Sequence, residues 1–170
     1  MYKQKLTLDP KLAGICDKER LKNSGCGVCA FAMALSYVEG RNITPAMIIS
    51  RGVTNDVDTF IVHWEKASPC FTFDTMESID YESIAKEIVE YKLPVCVYTT
   101  GGPLGGRFVI VNGFSGTLKK NEDGSYDYSN VSNDMLKVAD PYKGESKTLQ
   151  QALSKGQEIS TVRRIRSKPE

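Results

Sequence analysis

Histidine is nearly absent from this sequence, and neither sign of charge is in excess. One histidine, His63, occurs in 170 residues, and 22 Lys and Arg face 21 Asp and Glu, for a formal net charge of +1. A nucleic-acid-binding domain normally carries a clear basic excess, so this balance argues against that class. Cysteine–histidine catalysis and most zinc sites need an imidazole, which here only His63 can supply.

Long apolar segments are also missing. No apolar run approaches the about 20 residues that cross a bilayer, and the first ten residues lack the apolar core of a signal peptide. We therefore expect a cytoplasmic protein without a membrane segment. The 5 cysteines are an odd number, which does not indicate a disulfide framework. Length and composition predict a single globular domain over residues 1–170.

Small apolar residues dominate the segment from Cys26 to Glu39, and Gly40 stands where a helix cap is expected. Apolar positions cover every side of this predicted helix, which is typical of a helix buried nearly all round. Cys26 lies in its first turn between Gly25 and Gly27.

The order of the remaining elements predicts an α+β fold, with helices first and an antiparallel meander after them. Residues 1–25 look irregular, and residues 51–78 are ambiguous apart from a short helix over 57–67. The other predicted helices begin near Thr44-Pro45 and span 80–91 and 146–155, and the predicted strands span 93–99, 107–112, 136–140 and 158–165.

Cys26 is the first candidate for chemistry. Free backbone N–H groups and the positive end of a helix favour a thiolate at this place. The same N–H groups can hold the oxyanion that forms when a thiolate attacks a carbonyl. The alternative is a buried cysteine that packs as a small apolar residue.

Cys26 and Cys29 also form a C-x-x-C pair at the start of a helix, which is typical of a dithiol redox site. Thioredoxin-like folds place that pair after a strand, whereas residues 17–25 are polar and turn-like. A zinc site would combine Cys16, Cys26 and Cys29 with Cys70 or His63, but these spacings match no regular zinc pattern. We expect no metal and no other cofactor, and the redox reading stays as an alternative.

Arg107 and Asp140 are the second candidate. If the strands around them pair antiparallel end to end, the two residues face each other, and strand alternation puts both side chains on one face. The pair is then either an ion pair at the end of the sheet or two arms of an active site that converges on Cys26.

Two other features have simpler interpretations. Arg163, Arg164, Arg166 and Lys168 form a basic end, which we expect to be solvated because the whole chain is nearly neutral. The glycine-rich segment 101–106 lacks the Lys-Ser/Thr pair of a phosphate loop and predicts a flexible connection between strands.

Four segments in this order resemble one known family. They are Gly25-Cys26-Gly27 with the apolar segment 32–37, Leu93-Pro94-Val95 after a helix, residues 106–114 around Arg107, and Val138-Ala139-Asp140-Pro141. Together they resemble the papain-like cysteine peptidases of the bacteriocin-leader-processing branch, which cut double-glycine leader peptides. The likeness spans residues 20–145.

The resemblance implies a papain-like fold in which a buried N-terminal helix carries the nucleophile Cys26 at its start and packs on an antiparallel sheet. Asp140 matches the family's aspartate, but Arg107 stands where the family has its catalytic histidine. Arginine cannot act as a general base, since its pKa exceeds about 12. Asn23 is the candidate for the oxyanion-hole amide, where the family usually has glutamine.

These departures predict a catalytically impaired relative that keeps a cleft for a peptide or protein partner. A permanent cation near Cys26 would still favour its thiolate. The first alternative is an active cysteine peptidase or acyl-transfer enzyme that uses Cys26 with His63, or a partner's residue, as the base. The second alternative is the dithiol redox protein that uses Cys26 and Cys29.

Overall fold

The computed structural model describes residues 2–5, 25–54, 63–103, 106–141 and 146–169, and these combine helices with antiparallel strands, as the order of elements predicted. The strands are β1 (Tyr2–Lys5), β2 (Phe71–Thr75), β3 (Val95–Thr100), β4 (Arg107–Gly116), β5 (Lys119–Lys120), β6 (Tyr126–Asp127), β7 (Leu136–Ala139) and β8 (Glu158–Ser167). The helices are α1 (Gly25–Glu39), α2 (Pro45–Ser50), α3 (Tyr81–Lys86) and α4 (Leu149–Ala152), with a 3-10 turn at Trp64–Lys66 and a π-helical turn at Glu87–Tyr91.

Six strands form one antiparallel sheet in the order β1-β4-β3-β8-β2, and β7 also pairs with β4. Val111 of β4 pairs with both Val95 of β3 and Val138 of β7, so β3 and β7 lie on opposite edges of β4. The predicted meander is wrong, because the last strand, β8, lies between β3 and β2. The reading of residues 1–25 as wholly irregular is also wrong, since β1 pairs with the far end of β4.

Helix α1 forms the centre of one hydrophobic layer. Every residue from Val28 to Leu35 is at most 1% exposed, which confirms a helix buried nearly all round. Its side chains pack with Phe73, Cys96, Ile110 and Ile165, which all point from the sheet towards α1. We call this side of the sheet the α1 face.

Helix α3 covers the opposite side, which we call the α3 face. Ile84 of α3 and Ile88 of the π-helical turn that follows it pack with Val97, Val109 and Val162. Because neighbouring residues of a strand point to opposite sides, Cys96 and Ile110 lie on the α1 face while Val97 and Val109 lie on the α3 face. The sheet is therefore buried on both sides.

Side-chain caps define where the shorter helices begin. Thr44 accepts a hydrogen bond from the N–H of Met47, Asp80 from that of Ser83, and Thr148 forms a capping box with Gln151. The helix predicted over 80–91 becomes π-helical at Glu87, and the one predicted over 146–155 is α-helical only at 149–152. None of the helices in the described ranges is long and apolar enough to cross a membrane.

Candidate functional site

Cys26 is the second residue of α1, as the sequence predicted for a residue of the first turn. The backbone of this turn therefore presents N–H groups without partners inside the helix. The side chain of Cys26 lies outside the described part of the chain, and so do Asn23 and Cys16. The thiolate, its oxyanion hole and the zinc alternative remain predictions.

Arg107 and Asp140 form a buried ion pair. The Nη2 group of Arg107 donates a hydrogen bond to Oδ2 of Asp140, and the two side chains are 10% and 1% exposed. The same carboxylate oxygen accepts a hydrogen bond of 3.3 Å from the backbone N–H of Ser146. The predicted pairing is therefore present, inside the protein rather than on its surface.

The register between the two strands differs from the predicted one. Ile110 pairs with Ala139 and Val111 with Val138, so the same register continued would set Asp140 opposite Val109. Arg107 thus reaches Asp140 diagonally and not directly across. The physical reason is that the strand ends do not coincide, since β4 runs on to Gly116 and the pairing shifts between Val111 and Gly113.

The Nε atom of Arg107 is buried and has no hydrogen-bond partner within the described residues. An arginine guanidinium is not a proton-transfer group, so it can neither take a thiol proton nor return one to a leaving group. The position where the resemblance implies a histidine therefore holds a fixed cation.

Arg107 lies on the α3 face. It pairs with Thr99, and strand alternation sets both residues on the side of Val97 and Val109. Helix α1 packs on the other face, but Arg107 is the first residue of β4 and so lies at the end of the sheet. A shared site for Cys26 and Arg107 remains a prediction. It requires the two side chains to meet past the end of the sheet, since α1 and Arg107 lie on opposite faces.

A polar network that the sequence analysis missed adjoins Arg107. Thr99 is fully buried, and its Oγ1 donates a 2.7 Å hydrogen bond to Oε1 of Gln157, whose Nε2 donates to the carbonyl of Gly101. Gly102 has a φ of +64°, and a Cβ there would lie 2.1 Å from the carbonyl oxygen of Lys155. The two threonines that end β3, Thr99 and Thr100, were the only sequence signal for this network.

His63 lies on the other side of the sheet, near α1. Its side chain is 48% exposed, and its Nδ1 is 3.5 Å from Oε1 of Glu65. The next residue, Trp64, packs edge-on against Phe31 of α1 with ring centroids 4.6 Å apart. His63 therefore directly precedes a residue that packs on the helix that carries Cys26.

The other cysteines differ in their surroundings. Cys29 and Cys96 are buried, and burial raises the pKa of the Cys96 thiol. Cys70 is exposed. Within the described ranges, no three His, Cys, Asp or Glu side chains come together as a metal site would require. The dithiol alternative stays a prediction because it involves the side chain of Cys26.

The basic end is not simply solvated, contrary to expectation. The guanidinium of Arg163 stacks 3.6 Å from the ring centre of Trp64. Arg166 makes two hydrogen bonds, of 2.7 and 2.8 Å, with the buried carboxylate of Glu87. Two of these arginines are therefore structural, because the sheet brings aromatic and acidic partners to them, whereas Arg164 is exposed.

No protein-family model, no curated protein and no solved structure matches this chain. The functional argument therefore depends on the residues and their contacts. Arg107 and Asp140 carry most of it, since both are described and both occupy positions that the sequence singled out.

Proposed function

We propose that this chain is a peptide-binding relative of the papain-like cysteine peptidases, of the bacteriocin-leader-processing branch, and that it does not turn over peptide bonds. The supporting features are a cysteine at the start of a buried helix and an antiparallel sheet packed against that helix. The observation that carries the proposal is the buried contact between Arg107 and Asp140.

The missing turnover follows from proton transfer. A cysteine peptidase needs a base that takes the thiol proton and then gives it to the leaving amine, and an aspartate often orients that base. Here Asp140 holds a guanidinium, which performs neither step. Peptide recognition does not need this proton transfer, so a cleft can bind a peptide or protein segment without cutting it.

A peptide-library experiment tests both halves of the proposal. The wild-type protein and the Cys26→Ala variant are incubated with peptides from a digested bacterial proteome, and mass spectrometry follows retained peptides and new termini. We expect both proteins to retain the same peptides and neither to create new termini. Termini that appear with the wild type and not with Cys26→Ala would overturn the proposal, and so would the absence of any retained peptide.

A second candidate is an active thiol hydrolase or acyl-transfer enzyme with His63 as its base. The supporting observation is that His63 is 48% exposed, with Nδ1 near Glu65, and directly precedes Trp64, which packs against Phe31 of α1. This candidate predicts cleavage in the same assay that disappears in both Cys26→Ala and His63→Ala. Cleavage that survives His63→Ala would exclude His63 as the base.

A further inference from the structure

An open groove of about 460 Å³ lies on the α3 side of the molecule. Its volume falls in the range of about 300–1,000 Å³ that is typical of ligand sites. The N-terminus of α3, the end of α4 and the start of β8 form its walls. Its lining includes Asp80, Tyr81, Asn133, Leu153, Glu158 and Ile159.

The groove lies beside the Arg107 position. Ile159 pairs with Thr99, and Thr99 pairs with Arg107. The backbones of Ile159 and Arg107 are therefore two strand spacings apart, a distance of about 10 Å. Gln157 links the groove to the strand partner of Arg107, because it lines the groove and accepts the hydrogen bond from Thr99.

The groove combines apolar walls with negative charge. Ile79 is 43% exposed, and Leu153 and Ile159 are partly exposed beside it. Among the lining residues, the two that are charged at neutral pH are both acidic, Asp80 and Glu158. Hydrogen bonds from the Ser78 hydroxyl and from the N–H of Ser83 lower the pKa of Asp80, so its charge persists well below neutral pH.

We infer that this groove binds a lysine or arginine side chain of the peptide partner. The aliphatic stem of such a side chain would lie against Leu153 and Ile159, while its charged head meets Asp80 and Glu158. The ring of Tyr81 adds a surface that attracts a cation. The inference rests on the proposed function, since it names the peptide side chain that the peptide-binding protein would recognise at this groove.

Fluorescence anisotropy with one labelled hexapeptide, Gly-Ser-Leu-Arg-Ser-Gly, tests the inference. A second peptide carries citrulline, the neutral isostere of arginine, at the same place. The variants are Asp80→Asn, which keeps a good helix cap, and Glu158→Gln. Glu82→Gln is the matched control, because Glu82 is an exposed carboxylate of the same helix that does not line the groove.

We expect the citrulline peptide to bind at least tenfold more weakly than the arginine peptide. Each groove variant should weaken arginine binding about threefold and the double variant about tenfold, as for partly exposed charge pairs. Glu82→Gln should change affinity by less than twofold. Equal affinity for the two peptides, or an equal loss in Glu82→Gln, would overturn the inference.

Amide chemical shifts in the same titration separate this inference from the proposed function. Shifts of Tyr81, Asn133 and Leu153 support the groove. Shifts confined to residues 27–31 and 107–109 would place peptide binding elsewhere, so the groove inference would fail while the proposed function stands. Sedimentation of the protein without peptide tests whether a second copy of the chain occupies the groove instead. A dimer that dissociates in Glu158→Gln would show this and would overturn the inference.

Discussion

At the scale of single residues, Arg107 and Asp140 explain each other's presence. Asp140 is 2% exposed, and its carboxylate accepts hydrogen bonds from a guanidinium and from a backbone N–H. The Arg107 side chain is only 10% exposed, so each charge is largely removed from bulk water and is compensated by the other. The ion pair therefore contributes to the structure of the sheet end, whether or not the chain is related to the peptidases.

Asp140→Asn should lower the free energy of unfolding by about 3 kcal/mol, because Asp140 is the carboxylate that pairs with Arg107 among the described residues, and its loss leaves the buried guanidinium poorly compensated. Urea denaturation measures this change. The double variant Arg107→Met/Asp140→Leu is the matched control and should recover most of the loss, since apolar residues of similar size often replace a buried ion pair without cost. A loss below about 1 kcal/mol in Asp140→Asn would mean that water compensates Arg107.

Cys26 should react with iodoacetamide well below the pH at which an ordinary thiol does, about 8.5. The N-terminus of α1 favours its thiolate, and a nearby Arg107 would add to the effect. Peptide mapping of alkylation rates against pH resolves Cys26 from Cys29, with the exposed Cys70 as the internal reference. If the pH of half-maximal alkylation for Cys26 equals or exceeds that for Cys70, Cys26 is a cysteine that only packs in the core.

At the scale of secondary-structure elements, ion pairs between elements hold the α1 layer together. Glu39 ends α1, and its carboxylate accepts hydrogen bonds of 2.9 and 3.2 Å from Arg51, the residue after α2. Nη1 of Arg51 also donates to the carbonyl of Ala67 at 2.6 Å. Three segments of the chain therefore meet at one guanidinium.

The Glu39–Arg51 pair predicts a pH dependence of stability. Burial alone would raise the pKa of Glu39, but the hydrogen bonds and charge of Arg51 outweigh it, so the pKa lies below its ordinary value of 4.5. A lowered carboxyl pKa contributes stability above pH 4.5 that is lost as the pH falls through the folded-state value. Unfolding of Glu39→Gln and the wild type should therefore differ most at pH 7 and converge in acid, whereas a constant difference would contradict this assignment.

Local signals account for the elements that the sequence predicted. Thr44-Pro45 and Asp80 cap helices through contacts within a few residues, and the buried stretch of α1 shows in its composition. The π-helical turn at Glu87 has no such signal, because it accompanies a contact with Arg166, which lies 79 residues away. The sequence analysis missed this turn because its partner is far away in the sequence.

At the scale of the whole molecule, the sheet separates two layers with different roles in this account. Helix α1 with Cys26 and His63 lies on one side, and the groove, the Thr99–Gln157 network and the Arg107–Asp140 pair lie on the other. The proposed cleft joins them at the end of β4. Strand alternation predicted that Arg107 and Asp140 share a face, but strand order and register depend on non-local pairing that one sequence does not encode in any short segment.

The most direct test of the central claim is to change Arg107 to the residue that the resemblance implies. We expect Arg107→His to keep the native fold by circular dichroism and to cleave peptides that the wild type only binds. A general base typically contributes about 10²–10⁴-fold in rate, and this cleavage should vanish in Arg107→His/Cys26→Ala. A folded Arg107→His protein that binds the same peptides without cutting them would contradict the claim that the arginine is what removes turnover.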